Sequence, residues 1–129
     1  MAYDDQAAER VRSILSGQLD VIEKKMMGGL IFMVRGNMCC GVSASALMVR
    51  VGQEAYEHTL AQPHVRPLEF AGRRPKGFVL VDPEGYRTSA ALKKWIKQSL
   101  NFVLALPAKK AAGDVRSQAR SNAAKKTSA

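Results

Sequence analysis

The sequence predicts an α+β domain of two layers, an antiparallel sheet with helices, in the order α-β(3)-α-β(2)-α. Three observations predict it. Apolar residues repeat at helical spacing in three separate stretches, near residues 4–16, 53–61 and 89–106. Between them lie short runs rich in Val, Ile, Met and Phe. The connections between those runs are turns, too short for the helical crossovers that parallel strands require.

Residues 4–16 place Ala7, Ala8, Val11, Ile14 and Leu15 on one helical stripe, with Asp4 or Asp5 to cap the start and Gly17 to close the end. After Asp20 the spacing changes to runs at about 21–27, 30–34, 38–42 and 46–51. The count of three strands takes the first two as one strand bent across Gly28-Gly29. Leu30–Val34 and Met38–Val42 then pair as a hairpin across Gly36-Asn37. Gln53 to Ala61 is a short helix, because Ala55, Tyr56, Thr59 and Leu60 share a face and Pro63 prevents extension.

Two further strands, about 67–71 and 77–82, flank the loop Gly72-Arg-Arg-Pro-Lys-Gly77, whose Arg73, Arg74 and Lys76 must face water. Asp82-Pro83-Glu84-Gly85 reads as another turn. From a cap at Thr88 or Ser89, Leu92, Trp95, Ile96, Ser99, Leu100 and Val103 repeat at helical spacing until Pro107. The predicted core is Val11, Leu15, Leu30, Phe32, Val49, Val79, Leu92, Trp95, Ile96 and Leu100.

A chain of 129 residues with 47% hydrophobic content is the size and make-up of one domain with one core. No segment reaches the roughly 18 consecutive apolar residues of a membrane span, and the acidic start MAYDD is unlike a secretory signal, so a cytoplasmic protein is expected. The two cysteines, Cys39 and Cys40, are adjacent and are expected as reduced thiols, one in the core and one partly exposed. Residues 107–129 carry six basic side chains against the single acidic Asp114, a net +5 of the chain's +9. Val115 is their one sizeable apolar side chain, so the domain is expected to end at 106 and a disordered basic tail to follow.

The chemistry is scant. His58 and His64 with Cys39 and Cys40 are too few and too scattered for a metal centre. Gly28-Gly29 lacks the Lys-Ser/Thr ending and following helix of a phosphate loop, and Asp82 with Glu84 suits turn geometry. No cofactor, metal or catalytic residue is expected, and the chain is read as non-enzymatic. The side chains best placed to touch a nucleic acid or another partner are Arg73, Arg74 and Lys76 in the loop and Lys93, Lys94 and Lys97 on the polar side of the last helix. Met26, Met27, Met33, Met38 and Met48 cluster in the sheet region, where methionine suits an irregular core or an adaptable binding face. An open sheet side or edge strand of that kind also suits a homodimer.

One stretch carries a resemblance. Lys24-Lys25, Met26-x-Gly28-Gly29, Phe32 and Gly36-Asn37-Met38 resemble the signature of the TfoX N-terminal domain family, named after bacterial competence regulators. The likeness continues through LMVRVG (Leu47 to Gly52), the Gly72 to Gly77 loop and Val81-Asp82, covering roughly residues 1–106. Met27 stands where the family often has Phe, and Arg74-Pro75 where it commonly has Pro-Met. The resemblance implies an α+β fold similar in outline to secretion chaperones, and no catalytic residues. It implies a protein-interaction module of transcriptional regulation, a coactivator whose partner is a DNA-bound regulator or a polymerase component. A non-specific nucleic-acid binder using the basic loop, the last-helix lysines and the tail is the alternative.

Overall fold

The computed structural model describes residues 3–26 and 28–108. From Lys109 onward the predicted basic tail lies outside the described residues, as does Met27. Helix α1 (Asp5–Ile14) is capped by Asp4, whose carboxylate accepts the Gln6 and Ala7 N–H groups at 2.9 and 3.2 Å, and a 3-10 turn at Leu15–Gly17 follows. The strands are β1 (Val21–Met26), β2 (Gly29–Val34), β3 (Asn37–Ser43), β4 (Ala46–Arg50), β5 (Val65–Pro67) and β6 (Phe78–Val81). Between β4 and β5 runs α2 (Gln53–Leu60); after β6 come α3 (Pro83–Tyr86) and α4 (Ser89–Leu104), the last capped by Thr88.

All neighbours in the sheet are antiparallel, in the order β1-β2-β3-β4-β6-β5. The α+β class is as the sequence predicts, with four local corrections. The bent strand is a hairpin: Met26 pairs with Gly29 and Val21 with Val34, so the glycine pair reverses the chain. Gly28, at φ 76, takes a conformation that β-branched residues avoid. The second hairpin turns at Arg35-Gly36 rather than Gly36-Asn37, both with positive φ as a two-residue hairpin turn requires. The predicted strand 67–71 ends at Pro67, and the Asp82–Gly85 turn is the first part of α3, with Pro83 at its first helical position.

One face of the sheet is covered by α1, α2 and α4. Val11, Leu15, Leu30, Phe32, Val49, Val79, Leu92, Trp95 and Ile96 are buried there, as predicted; Leu100 is only partly buried at the margin. Tyr86 and Trp95 tie the helices to loops, the phenol donating to Ser45 O at 2.5 Å and the indole Nε1–H to Gly85 O at 3.0 Å. The end of α4 is held by the β2–β3 turn, where buried Asn37 donates to Pro107 O at 3.0 Å. The opposite face carries a smaller cluster of Ile31, Ala46, Met48, Leu68 and Leu80, with no helix over it among the described residues.

Candidate functional site

The basic loop begins where Pro67 ends β5. Leu68 tucks under the helix-free face, and the chain then reverses between Phe70 and Arg73, whose N–H groups and carbonyls bond reciprocally at 2.9 and 3.0 Å. Ala71 and Gly72 take positive φ at the tip. Arg73, Arg74 and Lys76 are exposed, and Arg74 is partly neutralised by Glu69 at 2.5 Å. Lys93, Lys94 and Lys97 are exposed on the outer side of α4. The structure does not bring the two groups together. Leu68 and Phe78, which bracket the loop, pack on the helix-free face, whereas α4 covers the other.

The face that carries Leu68 and Phe78 presents an apolar surface that no helix covers among the described residues. Met26, Met33, Met38 and Phe78 surround the buried Ile31, Met48 and Leu80 and are themselves only partly covered, while Ile22 and Phe70 are each 47% exposed. The strand period explains the collection: residues at every second position of β1 to β4 share this side, and four of them are methionine. At its end Arg50 lies between the Phe78 and Phe102 rings, 5.2 and 5.4 Å from their centroids, and donates to Met38 O at 3.1 Å. Burial lowers the pKa of its guanidinium from the ordinary value. Arg50 was not singled out from sequence, because its two aromatic neighbours come from distant segments.

The cysteines are not one buried and one exposed: both are fully buried, in the same core. The register explains it. Phe32 pairs with Cys40 and Met33 with Met38, so Cys39 is the extra residue of a β-bulge and turns to the helix side together with Cys40. The Cys39 thiol donates to Ser99 Oγ at 3.4 Å, and that hydroxyl donates back to the Cys39 carbonyl. Contact between the two thiols lowers the pKa of Cys39 and raises that of Cys40; burial raises Cys40 further, and Ser99 helps hold Cys39 down.

An open groove of about 360 Å³ brings His64 and Glu84 together with Lys94 and Trp95, but His58 and Asp82 do not line it. Asp82 is engaged by Arg66 at 3.0 Å. Among the described residues no three His, Cys, Asp or Glu side chains are grouped to hold a metal ion, and no helix is long and apolar enough to cross a membrane. Neither a curated protein nor a solved structure matches the chain. A family model does: that of the TfoX N-terminal domain, over residues 13–103. The match spans the sheet, its hairpins and nearly all of α4, and includes the Lys24-Lys25, Gly28-Gly29 and Gly36-Asn37 positions. The chain therefore belongs to the TfoX N-terminal domain family.

Proposed function

We propose that this is a non-enzymatic, cytoplasmic protein-interaction module of competence-type transcriptional regulation, which binds a regulator or polymerase component. The observation that carries the reading is the methionine-rich sheet face. Met26, Met33 and Met38 are partly exposed on a side that no helix covers among the described residues, and such flexible apolar surfaces adapt to a partner. Family membership supports the regulatory context. Met38→Glu tests the face: affinity capture from the native cell with wild-type protein should recover a regulator or polymerase component, and the variant should lose it at unchanged melting temperature. Recovery of only the protein itself in both captures would sink the reading.

A second reading, weak non-specific binding of nucleic acid, is favoured by the loop. Arg73 and Lys76 are exposed and make no ion pair among the described residues. Charge reversal of both to Glu should weaken binding of all sequences alike and reduce the salt slope by about 1 to 2, measured by fluorescence anisotropy. Binding unchanged by the reversal would leave the loop a solvated turn.

A further inference from the structure

The sheet has two edges, and they are not alike. On one side β5 is three residues long, ends in Pro67 and has Arg66 engaged by Asp82, all features that discourage further pairing. On the other side β1 is six residues long, pairs among the described residues only with β2, carries Ile22 at 47% exposure and is preceded by Leu19 at 79%. Asp20 O accepts the Arg35 N–H at 3.0 Å, so Asp20 faces β2. By the alternation of an antiparallel ladder, Ile22, Lys24 and Met26 also face β2, and the backbone groups of Val21, Glu23 and Lys25 point outward.

We propose that β1 pairs antiparallel with β1 of a second copy of this chain, with Lys24 on the two-fold axis, joining two sheets into one of twelve strands. The pairing shares Ile22 and Met26 with the margin of the methionine face but does not involve Met38, so Met38→Glu should leave the dimer intact and the two readings fail separately. Charge and side-chain order select the register. Two-fold antiparallel pairing puts the same faces of both copies on one side, so only residues of equal parity can lie opposite one another. With Lys24 on the axis, Glu23 lies opposite Lys25 of the second copy, twice, in hydrogen-bonded positions that use the outward backbone groups. Ile22 lies opposite Met26, also twice, on the methionine-rich side.

Moving the axis to Glu23 sets Glu23 against itself and leaves no opposite-charge pair. Moving it to Ile22 runs Asp20 into the pairing, at φ 60, which is not extended backbone. The chosen register has one cost. Lys24 meets its own copy across the axis, and the two ammonium groups must diverge into water along the aliphatic stems. The Arg12 guanidinium already holds Glu23, through contacts of 2.5 and 2.8 Å, and this fixes the carboxylate beside the edge where Lys25 of the second copy arrives.

Light scattering and sedimentation of the full chain test the pairing. Wild type is expected to be a dimer that dissociates on dilution. Glu23→Lys should weaken self-association about tenfold or more, as two attractive pairs become repulsive. Adding Lys25→Glu to it should restore the dimer. Arg12→Met, which removes the same intrachain pair but reverses no charge across the axis, should weaken the dimer far less than Glu23→Lys and so separates assembly from folding. Independently, Lys24→Cys should form an intermolecular disulfide under mild oxidation, and Ile22→Cys should cross-link with Met26→Cys when the two are mixed; Lys93→Cys should not cross-link. A monomer at every concentration overturns the proposal. So does a dimer that neither responds to the charge swap nor cross-links at Lys24→Cys.

Discussion

Replacing Trp95 with alanine lowers the unfolding free energy by about 3–5 kcal/mol, and the melting temperature by roughly 15 °C or more for a domain of this size. The indole is 7% exposed within the main core, on the buried side of α4. Truncation removes its packing and leaves a cavity between α4, α3 and the sheet. It also removes the donor that satisfies Gly85 O at 3.0 Å. Trp95→Phe separates the two losses, since it keeps most of the ring volume and drops only the hydrogen bond; it should cost about 1–2 kcal/mol. Urea denaturation followed by circular dichroism measures both. A near-neutral result for the alanine variant would contradict the packing described for α4.

Gly52→Ala should be nearly as damaging, at roughly 2–5 kcal/mol, although it adds only a methyl group. Two effects combine. Gly52 has φ 89 and ψ 160, a backbone region that is nearly glycine-only and costs an L-residue about 1–3 kcal/mol. A Cβ there would also run into the Phe102 ring, the side chain that stacks on Arg50 and ties the end of α4 to the sheet. The backbone cannot shift to make room, because the Val51 and Gly52 N–H groups both donate to Gly77 O, at 2.7 and 3.1 Å. Combining Gly52→Ala with Phe102→Ala should recover the collision and leave the backbone cost. A double-mutant cycle reads that as non-additivity of about 1–3 kcal/mol.

Where periodicity ran for several turns, the sequence was legible. The stripe from Leu92 to Val103 could bury only one side of a helix, and the alternation of Leu30, Phe32 and Val34 could face only one side of a sheet. The glycine pair was harder: Gly28-Gly29 suits a bend and a hairpin equally, and only the pairing of Val21 with Val34 decides between them. Leu100 has the right spacing for the core but sits at its margin, since helical phase does not say how far a neighbouring layer extends. The basic residues were individually readable as exposed. Their grouping was not, because a surface shared by α4 and the 72–77 loop depends on which side of the sheet each segment crosses. Arg50 needed Phe78 and Phe102 to converge from different elements, and no local signal announces that.

The bulge at Cys39 changes what a length mutation does to β3. Following the chain, Asn37 faces the helices, Met38 the other side, Cys39 and Cys40 both the helices, Gly41 the other side and Val42 the helices again. In an ordinary strand, losing one residue turns everything beyond it inside out. Here the doubled position is a spare beat. Removing Cys39 would leave Asn37, Met38, Cys40, Gly41 and Val42 in strict alternation, each still facing its present layer, with the loss confined to the Ser99 contacts. The strand thus holds a reading frame that tolerates the loss of one cysteine, since deleting Cys39 or Cys40 gives the same chain, and of no other residue between Met38 and Val42 without moving a side chain to the other layer.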